Sequence, residues 1–589
     1  MLKIDPNDSC VTYFTKPSEV LHKQYIALKH YFVDGYSAEQ VAETSGYAIN
    51  TVYSMVRDFR KKIKSQDDDP FFKTNTAGRR PIDHKEDIKE TVINLRKKYL
   101  SVPDIQVVLD AMGTGLTIFS IEKIITEAGF ARLPRRDKQF KDEAMTSPIP
   151  KLIAPKTEKI LLNADAFSSQ LAGLLCILPY IVKYKIDEAI KQSTYPETSD
   201  VGKYASILSF VALKLSNIKR YSTDDTWCMD RGMGLFAGHN VLPKAAWFSA
   251  YSSGITRDMN VSFLKSLQTI WKNNGLLSDT ANLDFTTIPY WGDDEPFEKN
   301  WSGKRGKALA SIQAALAQDP ESGILCYGDT TIRHDNQDNV ILEFLDFYHN
   351  DPKINNRLKY LIFDSKFTTF ANLNEINKKG IKFITIRRRG KKLIEKINSF
   401  NASFWKKVEV EKAGGGTRTL TVCDDRDSLP GYDSPIRQIY IMENSRDKPA
   451  ILITNEFNLK LQDLIRKYSR RWLVETDIAE HIDFFHLNRN SSGIVIKVDF
   501  DLTMTILAHN LYRLFCMDFA GYSNCLAQTV FDKFISAPGS VEIVGNIITV
   551  KLKKKRTLPT LMQQLKQFKD YTYPWLKNYK ISFLVDSTT

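Results

Sequence analysis

The order of predicted strands and helices between residues 283 and 387 is the feature that most constrains the fold. Runs of β-forming residues alternate there with segments of helical period. They predict the order β-β-β-α-β-α-β, with strands at 283–290, 308–318 and 323–331, a helix at 338–349, a strand at 358–364, a helix at 369–378 and a strand at 381–387. This order is typical of an α/β domain built on one sheet.

Two of these strands carry a carboxylate in apolar surroundings. Asp284 lies between Leu283 and Phe285 in the first strand, and Asp364 ends the fourth. Aspartate is depleted in strands, so each acid needs a reason, either a local hydrogen bond or a role in binding a cation. The element order is that of the ribonuclease-H-like fold, in which the first and fourth strands are neighbours. We therefore expect the two carboxylates to converge.

Asp329 is a rival for the first carboxylate, because it lies in a similar segment (YGDTT). Only 35 residues separate it from Asp364, and that stretch predicts one helix and no hairpin. Asp284 precedes Asp364 by 80 residues, enough for two strands and a helix. We therefore predict that Asp284 is the first carboxylate.

A third acid lies in the segment LQDLIRKYSRRWLVETDIAEHIDFFH, residues 461–486. Tyr468, Arg471 and Glu475 are spaced by three and four residues, which predicts that they share one face of a helix. Arg and Glu four residues apart also form ordinary surface ion pairs, and taken alone that reading would be preferred. Two convergent strand acids upstream favour a functional role instead.

Together these residues resemble the DDE transposases of bacterial insertion sequences, and most closely the insertion-sequence-four group. The signature of that group is Tyr-x2-Arg-x3-Glu followed by six residues and a Lys. Here Ile482 occupies the Lys position, and His481, His486 and Arg489 are the candidates to replace it. The group also carries a β-rich insertion before the Glu helix, and residues 391–459 fit that description. The resemblance covers roughly residues 270–555.

The resemblance implies metal-dependent strand cleavage and joining at transposon ends, within a synaptic homodimer. Asp284, Asp364 and Glu475 would be the catalytic residues and would hold two Mg²⁺ ions, for which Mn²⁺ is expected to substitute. Such ions activate the attacking oxygen and stabilise the leaving oxygen of a phosphodiester, and Mg²⁺ prefers carboxylate oxygens as ligands. Tyr468, Arg471 and His481 would contact DNA.

The N-terminal quarter predicts two helix-turn-helix units. In the first unit, helices begin near Val20, Ser37 and Asn50. The third helix is expected to bury its apolar residues, Val52, Tyr53, Val56 and Phe59. Its polar face would then expose Arg57, Arg60 and Lys61. The second unit has helices at 86–98, from Ser101 and from Ser120, and Gly129 ends the last. A basic tail with Arg135 and Arg136 follows, of a kind that contacts phosphates.

The predicted architecture is multidomain. It comprises helix-turn-helix units at 1–75 and 76–150, a helical domain at 151–275, an α/β ribonuclease-H-like catalytic domain at 276–390 and 460–555, a β-rich insertion at 391–459 and a tail at 556–589. The 82 Lys and Arg residues exceed the 69 acids, a net charge of +13 that favours a polyanionic partner. That partner is expected to be double-stranded DNA, both transposon terminal repeats and target.

Other features exclude alternative classes. The longest apolar run, 171–182, is too short to span a membrane, and the N-terminal residues lack the apolar stretch of a secretory signal. Seven scattered cysteines favour a reducing compartment over a disulfide framework. We therefore expect a cytoplasmic protein, and the resemblance implies a bacterial one associated with the nucleoid.

Two alternatives stay open at this point. A tyrosine or serine recombinase would attack with a side-chain hydroxyl, although none of the 25 tyrosines lies in a recognisable cluster of Arg and His. A domesticated, catalytically silent DNA-binding protein would keep the fold and lose the chemistry. The three acids argue against this second alternative, whereas the absent Lys favours it.

Overall fold

The computed structural model describes residues 9–64, 85–97, 100–111, 116–130, 165–197, 201–219, 226–290, 297–302, 306–349, 358–364, 366, 369–388, 390–411, 416–442, 449–489 and 494–586. The chain divides into two compact units, Met1–Lys85 and Glu86–Thr589. No helix in these ranges has the length and apolar character needed to cross a bilayer.

The first unit consists of helices. They are α1 (Ser9–Thr15), α2 (Val20–Phe32), α3 (Ala38–Ser45) and α4 (Ile49–Lys64). Ser37 begins α3 with a reciprocal capping box to Gln40, and Gly46 ends it with φ +70°, the left-handed backbone that glycine adopts without strain. Val52 and Val56 are buried as predicted, but Tyr53 is 51% exposed. The prediction that Tyr53 is buried is wrong, because the face of α4 that packs against α2 and α3 is narrower than the set of apolar residues in this segment.

A second set of three helices opens the other unit. It comprises α5 (Lys85–Lys97), α6 (Val102–Ala111) and α7 (Ile118–Glu127). Thr117, rather than the predicted Ser120, caps α7, because its hydroxyl accepts the backbone N–H of Ser120. Gly129 follows α7 with φ +74°, as expected for a residue just after a helix end.

Residues 165–275 are mainly helical. The helices are α8 (Leu178–Lys183), α9 (Ile186–Gln192), α10 (Lys203–Leu215), α11 (Arg231–Ala237), α12 (Ala245–Ser253) and α13 (Arg257–Asn273). The region begins with a strand, β1 (Asp165–Ser169), which the sequence analysis missed. β1 pairs with a strand almost 400 residues later, and no local pattern predicts such a partner.

The large sheet contains the predicted strands in their predicted order, with one additional strand at Lys299–Ser302, in a segment where no strand was predicted. Its first part consists of β2 (Thr280–Pro289), β3 (Lys299–Ser302), β4 (Lys307–Gln318), β5 (Leu325–Ile332), β6 (Tyr360–Phe363) and β7 (Lys382–Ile386), with helices α14 (Val340–His349) and α15 (Phe370–Lys378) between the later strands. β4 pairs antiparallel with β2 and with β5. β2, β6 and β7 run parallel and side by side. The two strands associated with Asp284 and Asp364 are therefore neighbours, as expected.

The β-rich segment 391–459 continues this same sheet instead of forming a separate body. It starts with a helix that the sequence analysis did not predict, α16 (Lys391–Asn398), followed by β8 (Lys406–Glu411), β9 (Thr417–Asp427), β10 (Ile436–Met442) and β11 (Ala450–Thr454). β11 pairs with β7, and the order then runs to β8 at the sheet edge. The backbone groups of β7 that would otherwise form an open edge are satisfied in this way.

Three helices after the sheet organise the core. They are α17 (Leu461–Ser469), α18 (Trp472–Asp483) and α19 (Val495–Met517). α19 is buried along nearly its whole length and packs against β5, α10 and α13. Side chains of β6 alternate between two cores, so that Leu361 and Phe363 join the core around α19 and Ile362 joins a smaller core under α17.

The C-terminal residues form a second sheet rather than a free tail. They provide α20 (Ala527–Val530), β12 (Gly539–Val544), β13 (Ile547–Leu552), α21 (Leu558–Leu565), β14 (Thr572–Tyr573) and β15 (Tyr579–Val585). Among the described residues the strand order is β1-β12-β13-β15-β14, and β15 runs parallel to β13. This sheet joins β1 to the C-terminal strands, so residues of the predicted tail at 556–589 take part in it as β14 and β15.

Candidate active site

Asp284 is held in the middle of β2 by two hydrogen bonds. Its side chain is 11% exposed. Its Oδ1 accepts the backbone N–H of Phe285 at 2.8 Å, and its Oδ2 accepts Arg471 Nη1 at 2.7 Å. A carboxylate so placed is fixed on a rigid strand and keeps lone pairs for further ligands.

Arg471 connects this strand acid to the helix acid. Its other terminal nitrogen, Nη2, lies 2.6 Å from Glu475 Oε1, and the Glu475 side chain is 43% exposed. The Arg471 side chain itself is only 8% exposed. One guanidinium therefore bridges Asp284 and Glu475, with its second ion pair open to solvent.

Asp364 lies directly after β6, next to the Asp284 strand. Leu283 pairs in register with Phe363, so the residues that follow each of them in the chain lie at the same level of the sheet. The negative charges of Glu475 and Asp364 both act to raise the pKa of Asp284. The fold thus brings three acids together from positions 80 and 111 residues apart in sequence.

The electrostatics of the site reflect burial and excess negative charge. Burial, opposed by the charge of Arg471, raises the pKa of Asp284 to about 6. Lys366, which the sequence analysis missed, lies close enough for Asp284 and Asp364 to act on its charge, although burial lowers its pKa. The sequence feature that could have identified Lys366 is its position two residues after Asp364, the acid that ends the predicted strand.

The predicted single helix through Tyr468, Arg471 and Glu475 is wrong in one respect, because it breaks into α17 and α18 at Arg470–Arg471. At the break the N–H of Arg471 bonds to the carbonyl of Tyr468, three residues back. The carbonyl of Arg470 accepts Asn282 Nδ2 at 2.9 Å. Asn282 lies two residues before Asp284, so both share one face of β2. This buried amide positions the helix junction over the acid.

Asp329, the rival candidate for the first carboxylate, has a structural role in an ion-pair network. It is 3% exposed, accepts the backbone N–H of Thr331 at 2.7 Å and lies 3.4 Å from Arg257 Nη2. Arg257 also bonds Asp499 of α19 at 2.7 Å. Asp329 therefore belongs to an ion-pair network that joins β5, α13 and α19.

Of the three residues expected to contact DNA at this site, Arg471 and His481 are buried and Tyr468 is half-buried. The Tyr468 ring packs beside the guanidinium of Arg471, 5.6 Å from ring centre to Cζ, and its hydroxyl is buried. His481 is 0% exposed and packs against Phe485 and His509. α18 turns that face toward α19, so that His481 has no exposed surface in this structure, and its DNA contact stays a prediction.

Ile482, which occupies the position of the absent Lys, packs against the large core. The two other candidates to replace that Lys, His486 and Arg489, differ in exposure. His486 has φ +55° and its Nε2 lies 2.6 Å from Asn217 Oδ1. Burial, together with the charges of Lys214, Lys219 and Arg489, lowers the pKa of His486 to about 4. Arg489 is exposed.

The predicted cations of the helix-turn-helix units have mixed outcomes. Arg57, Arg60 and Lys61 all lie exposed on α4. Arg57 pairs with Asp58 at 3.0 Å, and Arg60 lies over the ring of Phe32. Arg135 and Arg136 lie outside the described residues.

A second acidic group lies further along α18. Asp477, Glu480 and His509 place one ligand atom each within 4.8 Å of one another, and among the described residues these are the side chains that meet that criterion. The guanidinium of Arg471 lies between Asp284 and Glu475, which keeps those oxygens apart. His509 faces Glu480 with Nδ1 at 3.3 Å and Asp477 with Nε2 at 3.6 Å. Because each ring nitrogen of His509 faces a different acid, the arrangement favours an ion pair that holds α18 to α19.

The site around Asp284 suits a divalent cation. Its potential ligands are carboxylate oxygens, which Mg²⁺ prefers. Two cationic side chains, Arg471 and Lys366, already lie against these acids, so positive charge is stabilised there.

Residues 280–511 match the family model of the transposase DDE domain. A search of the curated proteins gave no match. The matched range begins with β2 and includes Asp284, Asp364 and Glu475. Such a domain implies a ribonuclease-H-like fold, a divalent metal and a DNA partner, and the match supports the assignment of this chain as a DDE transposase.

Proposed function

We propose that the chain is a transposase of the insertion-sequence-four-like group, which binds transposon-end DNA and catalyses cut-and-paste transposition. The observation that carries this proposal is the bridging of Asp284 and Glu475 by Arg471, next to Asp364 on the neighbouring parallel strand. Three acids and one bridging guanidinium beside two buried strands carry a cost in repulsion and desolvation, which a bound divalent cation would offset.

Asp284, Asp364 and Glu475 would hold two Mg²⁺ ions, or Mn²⁺ in their place. When bound, the ions activate the attacking oxygen and stabilise the leaving 3′-oxygen of a phosphodiester. Water attacks in the first step, and the freed 3′-hydroxyl attacks target DNA in the second, so that no covalent protein intermediate forms.

The protein side chains orient this chemistry. β2 and β6 fix the two aspartates, and the α17–α18 junction carries Glu475 to them. Lys366 and Arg471 offset negative charge where a phosphate would add more. Arg57, Arg60 and Lys61, together with the basic tail at Arg135 and Arg136, are proposed to bind DNA in a homodimeric synaptic complex.

The test is incubation of the full chain with a duplex that carries its terminal inverted repeats, with Mg²⁺ or with EDTA. We expect metal-dependent nicking by the native protein and none by Asp284→Asn or Glu475→Gln, with DNA binding retained in both variants. Asp346→Asn is the matched control, because Asp346 is 63% exposed and pairs only with Lys379 among the described residues. It should cleave normally.

Each alternative predicts a different product. A covalent protein–DNA adduct formed in EDTA would identify a recombinase. Binding without nicking in any metal would identify a domesticated protein, and either result would overturn the proposal.

A further inference from the structure

The segment that follows β13 has a high density of positive charge. Lys553, Lys554, Lys555 and Arg556, hereafter the basic loop, lie between β13 and α21 with no acid among them. The catalytic scheme does not use any of these residues. The basic loop is therefore either an ordinary solvated surface or a binding surface.

The backbone of the basic loop is anchored on both sides. The N–H of Lys553 bonds to the carbonyl of Pro538 at 3.0 Å, and the N–H of Leu558 bonds to the carbonyl of Lys555 at 3.0 Å. Lys555 turns inward and donates to the carbonyls of Asp532 and Ser536. The loop therefore presents its remaining cations from a fixed backbone, which reduces the entropy lost on binding.

Within the part of the chain that the structure describes, those remaining cations have no ion-pair partner. Lys553, Lys554 and Arg556 are exposed, and no carboxylate of the described residues forms an ion pair with them. Lys533, exposed on the adjacent turn, is tied to the loop because its carbonyl accepts the Thr557 hydroxyl at 2.9 Å. Clustered, unpaired charges of one sign repel one another, and a polyanion relieves that repulsion.

The loop is connected to the candidate active site by packed elements. From Glu475 to Phe484 the chain rises about 14 Å along α18. The Phe484 ring then packs 5.7 Å from that of Phe531, which begins the turn containing Lys533. The basic loop and the candidate active site are therefore attached to one packed core.

We propose that Lys553, Lys554 and Arg556 bind the phosphate backbone of duplex DNA at a site separate from the catalytic acids. Contacts of this kind position a duplex and carry no sequence information. The inference rests on the proposed function only in taking DNA as the substrate.

The experiment measures the salt dependence of DNA binding by the full chain in EDTA, with a fluorescent 40-base-pair duplex of arbitrary sequence. Each lost phosphate contact lowers the slope of log K against log[salt] by about 0.9. Lys553→Gln/Lys554→Gln should therefore reduce the slope by about 1.8. The affinity ratio of native protein to variant should shrink about 12-fold between 50 and 200 mM salt.

Lys378→Gln/Lys379→Gln is the matched control. These are also adjacent exposed lysines, but each pairs with a carboxylate, at 2.8 Å to Glu375 and 2.6 Å to Asp346. We expect the native slope for this variant and a reduction of about 0.9 for Arg556→Gln. A native slope for both basic-loop variants would overturn the inference. Because the assay contains no metal, failure of cleavage and failure of this contact are distinguished.

Discussion

Replacing Arg471 with glutamine tests whether its guanidinium is the counter-ion of the candidate metal ligands. In the described structure it bonds Asp284 at 2.7 Å and Glu475 at 2.6 Å. At pH 8, above the pKa of about 6 that burial gives Asp284 next to this cation, the Asp284 carboxylate is charged. Arg471→Gln therefore leaves two carboxylates without their shared cation.

The two ion pairs contribute unequally to stability. The Arg471–Asp284 pair has side-chain exposures of 8% and 11%, and removal of one partner from a buried pair costs about 3 kcal/mol. Glu475 is 43% exposed, so solvent screens its pair, which contributes less than about 1 kcal/mol. We expect Arg471→Gln to lose about 3 kcal/mol of unfolding free energy at pH 8 without metal, nearly all of it through Asp284.

The same change should strengthen metal binding. A divalent ion and the guanidinium compete for the same oxygens, and a hydrogen bond to a charged group is worth about 1.5–3 kcal/mol. Relief from that competition corresponds to about 10- to 100-fold tighter Mn²⁺ binding. Calorimetric titration with Mn²⁺ measures the affinity, and scanning calorimetry in EDTA measures the stability.

Arg470→Gln provides the control. Arg470 is adjacent in the chain. Its Nη1 pairs with Glu321, which is 62% exposed, and its Nη2 donates to the carbonyl of Pro320 at 2.7 Å, so we expect a loss of only about 1 kcal/mol and native Mn²⁺ affinity. Equal stability and equal or weaker Mn²⁺ binding in Arg471→Gln would refute the counter-ion argument.

Two further predictions concern sites away from the acids. His486 has its pKa lowered to about 4, so the unfolded chain takes up its proton near pH 6.5 while the folded chain does not. Stability should therefore fall by up to about 3 kcal/mol as the pH drops from 6.5 to 4, and His486→Asn, which tolerates positive φ, should reduce that fall in acid denaturation curves. A Cβ on Gly173 would collide with the backbone carbonyls of Phe534 and Ile535. Gly173→Ala should lose at least about 2 kcal/mol in thermal unfolding, whereas Gly254→Ala, with only ordinary contacts, should be close to neutral; an equal loss would contradict this account.

Local patterns in the sequence predicted most elements of the fold. The strands β2, β4, β5, β6 and β7 follow from alternating periods, whereas β3 was not predicted. The neighbouring positions of β2 and β6 follow from how that order folds into a sheet. The caps at Ser37 and Gly129 follow from side-chain and backbone chemistry that acts within a few residues. These interactions are short in range, so a single sequence contains the information that predicts them.

Long-range pairing was not predictable in the same way. β1 and β12 pair across more than 350 residues, and β11 extends the sheet beyond β7. Hydrogen bonds between strands are formed by backbone groups common to all residues, so the choice of partner depends on which edge remains open after the rest of the chain has packed.

The sequence by itself determined the three candidate acids: Asp284 on the first predicted strand, Asp364 at the end of the fourth and Glu475 on a later helix. Only the tertiary structure decided which polar side chains accompany them. It broke the helix at Arg470–Arg471, directed Arg471 to Asp284, brought Lys366 close and buried His481 against His509. The physical reason is that helical spacing fixes only which residues share a face, whereas the direction of that face depends on packing between distant elements.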